Sequence, residues 1–393
     1  MESLLIFDFN EKSSVLLVFF LHALVFAGML WRKGREESKQ DSFWLAAFVV
    51  LGGFYLCPFM LGYAGWYSVE SYRNFMFFVP FQQLFLIGPV FYFYIKALLD
   101  RDFRLSRQDY LHFLPAALYL LYSLVVFIGD QFLFEEYYFY ADGRDKDLDF
   151  WYQMAGLISM LFYLFLSLRY YWSYRKISVQ EVSFADEIAF RWIQHFAVAF
   201  SLILILRVLF FILNPEWGQF GSKYWYYLCF AILLQYISIS GYTNTVRATI
   251  KMPVDPIGDW EPDEQVESQG APQGKKEVEK LADWKPKIDA LFESENLHQN
   301  SSLTLTDLAT LLKTNRSILS KVINQEFQMN FNDFVNQKRA EAVIKKLQQG
   351  EHVQNTLLAI ALDCGFNSKS TFNRAFKKHT TLTPQQFISQ NKL

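Results

Sequence analysis

Seven apolar runs dominate the first 246 residues, at 15–31, 43–61, 75–99, 110–129, 150–172, 192–213 and 224–245. Each is long enough, at about 17 to 25 helical residues, to cross roughly 30 Å of hydrocarbon. The composition fits that reading: 52% of the chain is hydrophobic, 19% aromatic and only 19% charged, which excludes an ordinary soluble protein. The first run is preceded by the acids Glu2, Asp8 and Glu11 with only Lys12 basic, and no small-residue cleavage site follows. It is therefore expected to be retained rather than removed as a signal peptide.

The short loops set an orientation. Loops one, three and five carry Arg32, Lys33, Arg35, Lys39, Arg101, Arg104, Arg107, Arg175, Lys176 and Arg191, whereas the opposite side carries Lys12, Arg73, Arg144, Lys146 and Lys223. Basic residues favour the cytoplasmic side, which places the amino terminus outside and everything after Thr245 inside. Loop four, rich in acids from Asp130 to Asp149, suits the outer face, and Trp31, Trp151, Trp172, Trp192, Tyr224 and Trp225 supply an interfacial belt.

Within the runs lie His22, Gln82, Gln83, His112, Gln153, His195, Arg207 and Gln235. Each is costly in hydrocarbon unless it faces the bundle or a cavity. Gln82, Gln83, Arg207 and Gln235 are the candidates for a polar ligand site inside the membrane domain. The competing reading is that such groups only hydrogen-bond helix to helix. No H-E-x-x-H, paired intramembrane Asp or Ser/His/Asp arrangement occurs, so no catalytic site is expected. Three cysteines exclude a disulfide scaffold, and without a C-x-x-C or Cys/His cluster neither a metal nor another cofactor is implied.

From Met252 to Lys280 the chain changes character, with Pro253, Pro256, Pro262, Pro272 and several glycines, and eight acids against three lysines. Such a segment cannot build a core, and residues 247–280 are expected to form a disordered acidic tether. Beyond it, residues 281–393 hold fourteen basic side chains against ten acidic ones, and no carboxylate side chain follows Asp363. The near-neutral total of -2 hides this asymmetry. A basic, acid-free stretch is an electrostatic footprint for phosphate.

The same region carries helix patterns in pairs. Thr304 with Asp307 makes a capping box ahead of Leu305, Leu308, Ala309 and Leu312, a short turn follows at residues 313–315, and a second helix begins near Arg316. At 100° per residue, Ile318, Leu319, Val322 and Ile323 share one face, opposite Ser317, Ser320, Lys321 and Asn324. About 50 residues later, Asn355 is positioned to cap a helix through Asp363, Gly365 sits where a positive φ is needed, and a helix from Lys369 sets Phe372, Ala375 and Phe376 against Ser370, Asn373, Arg374 and Lys377. Ser and Asn can bond base edges, Arg can take guanine in a bidentate pair, and Lys neutralises phosphate. Phe372 and Phe376 read as core, and Cys364 as a buried small residue.

The stretch IALDCGFNSKSTFNRAFKK, followed by Thr383, Pro384 and Phe387, resembles the second helix-turn-helix of the AraC (arabinose-regulator) transcription factors, matching I-A-x-x-x-G-F-x-S-x-S-x-F-x-R-x-F-K throughout residues 360–377. The resemblance covers about 110 residues and says nothing of the membrane half. Gln328 and Thr381 stand where that family commonly has Gly, Val343 where Ala is usual, and Ile388 where a basic residue is frequent. The resemblance implies recognition helices at 315–325 and 369–379 joined by a linker helix at 331–347. It implies base contacts from Ser317, Ser320 and Lys321 and from Lys369, Ser370, Asn373 and Arg374; Arg316, Asn324 and Lys377 complete the polar faces.

The expectation is thus an all-α chain: a seven-helix transmembrane bundle at 1–246, the tether, and an all-α DNA-binding domain at 281–393 with two helix-turn-helix units. Its partners would be double-stranded DNA, the lipid bilayer, an unidentified small-molecule or peptide ligand and a second copy in a homodimer. It would sit as a multi-pass protein in the cytoplasmic membrane and act as a transcription regulator rather than an enzyme. The alternatives are a membrane half that only anchors the regulator, or a transporter or receptor with a secondary DNA-binding tail.

Overall fold

The computed structural model describes residues 7–100, 102–185, 190–213, 222–244 and 281–391. The expected tether lies outside these residues. The described chain is helical, with one isolated antiparallel bridge between Val182 and Thr304. It forms two compact units, residues 1–171 with 191–252 and residues 172–190 with 253–393.

The first unit contains α1 (Glu11–Glu37), α2 (Gln40–Tyr63), α3 (Glu70–Phe78), α4 (Leu84–Leu99), α5 (Leu114–Ile128), most of α6 (Phe150–Glu181), α7 (Phe190–Val208) and α8 (Lys223–Thr243). α1 starts where Asn10 accepts from the Lys12 and Ser13 amides while the Asn10 amide donates to the Ser13 hydroxyl, a reciprocal cap. α2 is central: 72% of its apolar stretch is buried, against 17% for the stretch Asp109–Leu133. It packs on α1, α4 and α8, and Gly52 lets Leu234 of α8 approach so closely that a Cβ there would collide with it. Phe48, Phe91, Phe196 and Phe200 interlock α2, α4 and α7, with Phe91 and Phe200 stacked at 4.1 Å between centroids. Much of the aromatic content is therefore internal packing.

Five helical stretches are long and apolar enough to cross a membrane: Glu11–Glu37, Gln40–Tyr63, Asp109–Leu133, Phe150–Glu181 and Trp192–Leu213. Their outward faces are apolar as well, with Leu118, Leu121 and Leu124 of α5 and Ile158, Phe162 and Phe165 of α6 exposed. Apolar surface of that extent is compatible with membrane association. Two of the seven expected spans do not reach that standard. α8 is long enough, but Gln235, Ser238, Ser240 and its tyrosines dilute it. The run 75–99 is not one helix but α3 and α4, the latter only 16 residues long.

The break at residues 79–83 has a local cause and a distant support. Pro80 drives Val79 out of the helical region, to φ -94° and ψ 112°. The backbone groups this frees are met from elsewhere. Asp147 accepts from the Gln82 amide at 2.9 Å, the Tyr152 hydroxyl donates to the Gln82 carbonyl at 2.6 Å, and the Leu84 amide donates to Tyr152 at 3.1 Å. The acids of the loop before α6 are thus not simply solvated: Asp130, Asp145 and Asp147 are buried. Asp130 accepts from the amides of Tyr138, Phe139 and Tyr140, folding the loop on itself. Asp145 accepts from the Tyr67 hydroxyl and from the Asp147 amide.

In the second unit α9 (Trp284–Ser294), α10 (Leu305–Leu311), α11 (Arg316–Glu326) and the start of α12 (Phe331–Gln348) enclose one apolar core around Ile288, Leu308, Val322 and Phe334. The end of α12 with α13 (Leu357–Asp363), α14 (Lys369–Thr380) and α15 (Pro384–Asn391) encloses another around Val343, Ile360, Phe372 and Phe376. The capping box of Thr304 and Asp307 forms as expected. The cap of α13 is Thr356, which accepts from the Ala359 amide at 3.2 Å, and not Asn355. Gly365 has φ +89°, and a Cβ there would strike the His298 carbonyl. Cys364 is buried, and burial pushes its thiol up to about 11.

Two expected outcomes follow from this packing. Gln328 (φ 54°) and Thr381 (φ 65°) hold left-handed backbone that costs an L residue about 1 kcal/mol, most for a β-branched side chain. Thr381→Gly is expected to stabilise the C-terminal unit of the solubilised full-length chain by up to about 0.5 kcal/mol after the entropy glycine returns to the unfolded chain, seen as a melting rise of up to about 4 °C. The second outcome concerns Asp145 and Asp147. Burial raises both carboxyls, and repulsion from Asp147 raises Asp145 further. The folded pKa values exceed the unfolded ones, so the stability contributed is full below about pH 4 and is lost as pH rises through the raised values of the folded pair. The detergent-solubilised chain should melt higher at pH 5 than at pH 8, and Asp145→Asn should shrink that difference.

Candidate functional site

Helices form where the resemblance implies recognition helices, and each is capped by the residue preceding it. Asn315 accepts from the Ile318 amide at the start of α11, and Ser368 accepts from the Thr371 amide at the start of α14. On α14 the core side is Phe372 and Phe376, and Lys369, Ser370, Asn373, Arg374 and Lys377 are all exposed. Neighbouring cations are engaged elsewhere: Lys378 pairs with Asp333 of α12 at 2.7 Å. The polar face of α14 is therefore rich in donors and carries no acid.

α11 differs. Arg316, Lys321 and Asn324 are exposed and Ser317 is half-buried, but Ser320 is only 5% exposed and its hydroxyl accepts from the Asn324 side-chain Nδ2 at 3.4 Å. Ser320 thus does not stand on the open face where the helical wheel puts it; at 40° it lies at one edge of that face, 60° from the core arc. Arg316 also has a partner, with Glu181 at the end of α6 lying 3.5 Å from its guanidinium.

That partner belongs to a segment for which the sequence held no signal. Val182 and Ser183 are buried against the helix-turn-helix units. The Ser183 amide donates to the Leu303 carbonyl at 3.1 Å, and Asn332 donates to the Val182 carbonyl at 3.4 Å. Arg339 of α12, 1% exposed, donates to the Ser183 carbonyl and hydroxyl at 3.3 and 3.0 Å, and to the carbonyls of His298 and Asn300 at 3.1 and 2.8 Å. Asn367, just before α14, donates to the Ser301 carbonyl. Arg339 and Asn367 thereby tie the two apolar cores to the same loop at residues 298–301.

In the first unit the candidate polar residues separate. Gln82 is fully buried, donating to the Tyr55 carbonyl and the Tyr227 hydroxyl and accepting from Gln153. Arg207, 3% exposed, donates to the Tyr55 hydroxyl at 3.2 Å and to the Gln153 carbonyl and side-chain oxygen at 3.0 and 2.6 Å. The two are joined through Tyr55 and Gln153, linking α2, α6, α7 and α8. Gln83 instead donates to the Pro80 carbonyl and braces the break, and Gln235 lies half-buried on α8 outside this network. Gln153 carried a visible signal, being a polar residue inside an apolar run; Tyr55, Tyr226 and Tyr227 did not.

Comparison with known proteins agrees with the C-terminal geometry. Residues 308–390 match the helix-turn-helix domain family. An uncharacterized HTH-type transcriptional regulator of Staphylococcus aureus strain COL is 31% identical over 101 residues, 26% of this chain and 13% of the relative, and one from strain MRSA252 matches with the same figures. The probable transcription factor PqrA of Proteus vulgaris is 29% identical over 91 residues, 23% of this chain and 72% of that protein. The chain thus spans only about an eighth of the staphylococcal relatives' length. No solved structure matches it. The C-terminal unit carries a helix-turn-helix domain of the arabinose-regulator type.

Proposed function

We propose that this chain is a membrane-anchored, sequence-specific DNA-binding regulator of transcription. The observation that carries the reading is the pair of capped helices α11 and α14, each presenting basic and amide side chains outward from its own apolar core. Two such helices on one chain suit successive major-groove segments about 34 Å apart. The names of the relatives, transcriptional regulators and a probable transcription factor, point the same way. The apolar outward faces of the first unit support a multi-pass domain in the cytoplasmic membrane, with the amino terminus outside and the DNA-binding unit inside, as the loop charges require. On this reading α4 and α8 complete a seven-span bundle. A phosphatase fused after Asp259 is expected to be inactive; activity there would overturn the orientation.

Sensing, rather than anchoring alone, is favoured by one observation. α6 runs unbroken from Phe150 to Glu181, and its end supplies the Glu181 partner of Arg316 and leads into the residues that fill Arg339's donors. A displacement of α6 along its axis would alter the surroundings of a DNA-facing arginine without any diffusing intermediate.

For the solubilised full-length chain, Arg374→Ala is expected to weaken binding to the selected operator roughly 5- to 150-fold and to relax preference at one base pair. Lys377→Ala should weaken all sequences alike and lower the salt slope by about one. Gel shifts across a salt series measure both, and equal binding of any duplex by the parent and Arg374→Ala proteins would sink the assignment. Glu181→Gln should release Arg316 and tighten operator binding, by at most about fivefold given the modest worth of partly exposed pairs.

A further inference from the structure

Beside the Arg207 network lies a cavity of about 130 Å³ whose walls include Phe59, Gln153, Phe211, Tyr227, Arg207 and Lys223. Most of its lining is apolar or aromatic, and among the described residues Arg207 and Lys223 are its charged groups. The guanidinium of Arg207 is buried, and its partners are neutral: the Tyr55 hydroxyl, the Gln153 carbonyl and the Gln153 side-chain oxygen, with the Tyr226 hydroxyl beside it. The ammonium of Lys223 lies over the rings of Phe59 and Phe211, at 5.7 and 5.5 Å from their centroids.

Among the described residues neither cation pairs with a carboxylate, although other lysines of the same unit do, Lys96 with Asp109 at 3.3 Å and Lys146 with Asp142 at 3.0 Å. The nearby buried carboxylate, Asp147, spends its oxygens on the Gln82 amide and the Tyr119 hydroxyl. A buried cation such as Arg207 without a counter-charge is expensive, and the half-buried Lys223 on the same cavity adds a like charge. Removing both charges or supplying an anion relieves that cost, and the chain carries the charges. A guanidinium offers five N–H donors in a fixed fork suited to a carboxylate.

The remaining walls set the rest of the ligand. A cavity of about 150 Å³ lined by apolar side chains takes up benzene, so this one has room for a ring-sized apolar group next to the cations. We propose that the cavity binds an organic anion carrying one carboxylate on a compact apolar body, with Arg207 and Lys223 holding the carboxylate and Phe59, Phe211 and Tyr227 holding the body. The proposal deepens the sensing reading and takes its biological meaning from it, while binding itself can be tested alone. Two sources share this chemistry: a dissolved aromatic or branched acid, and the head of a free fatty acid in the bilayer.

The test uses the full-length chain in phosphatidylcholine nanodiscs. 3-Phenylpropionate is the dissolved probe, its uncharged amide the control, and nanodiscs containing oleate the lipid arm; equilibrium binding and thermal shift are read together. The expected result is saturable binding of 3-phenylpropionate or of oleate, with the amide at least tenfold weaker. Lys223→Gln, at the start of α8 and outside the buried hydrogen-bond network, should weaken the acid at least tenfold while leaving the unliganded chain folded, with its melting temperature not lowered. Arg207→Gln should abolish binding, and the Lys223 variant decides the matter if Arg207→Gln does not fold. Binding of the phenyl acid without oleate identifies a dissolved ligand, and binding of oleate alone identifies the lipid. Equal binding of acid and amide, no binding of either anion, or full affinity in Lys223→Gln overturns the proposal. Binding without any change in a promoter reporter keeps the cavity assignment and counts against sensing. A reporter that responds to its stimulus in a chain that binds neither anion does the reverse.

Discussion

The guanidinium of Arg339 is the constraint on which the C-terminal unit depends. It is almost completely buried yet permanently charged, so each of its donors needs an acceptor, and besides Asn336 on its own helix the acceptors include groups from two distant stretches of chain. The loop at 298–300 supplies two carbonyls and Ser183 supplies a carbonyl and a hydroxyl. Removing one set would leave donors unsatisfied in a low-dielectric site, which costs more than the bonds themselves are worth in water. The relative placement of the two helix-turn-helix units is in this way fixed by polar satisfaction, while each unit alone is fixed by its apolar core.

The first unit uses the same rule in a different medium. If its helices face hydrocarbon, apolar burial provides little drive to bring them together, and shape and hydrogen bonds must do so. The aromatic interlock of α2, α4 and α7 supplies shape, and the Tyr55–Gln82–Gln153–Arg207 cluster supplies bonds that join four elements. The break at 79–83 is part of that arrangement rather than a fault. It turns backbone groups outward from helix ladders, and Asp147 and Tyr152 are placed to receive them.

Legibility followed sequence distance. The recognition helices could be read because their evidence is local: a cap, a 3.6-residue period and a signature of eighteen positions. The interrupted span also had a local mark, Pro80, but hydropathy summed over the window overrode it. Asn355 and Thr356 are both good caps, and only the bond to the Ala359 amide separates them. Ser320 stood at the edge of its helical face, where periodicity discriminates least. What escaped altogether was carried by pairs far apart in the chain: Ser183 with Arg339, Asp147 with Gln82, Glu181 with Arg316. Acids in a hydrophilic loop read as solvated, and nothing in their neighbours says that a proline-broken helix will call on them.

The positive φ at Gln328 and Thr381 bears on how rigid the DNA-binding unit needs to be. Both residues follow recognition helices, where a glycine would adopt the left-handed turn without strain. Thr381 keeps the turn with the help of its neighbour, since the Thr380 hydroxyl donates to the Leu382 carbonyl and accepts from the Leu382 amide. A strained turn at the end of each of these helices costs stability and persists only because the surrounding structure holds it. The end of α6 meets the start of α11 through Glu181 and Arg316, while α14 packs on α12, the helix whose Arg339 holds Ser183.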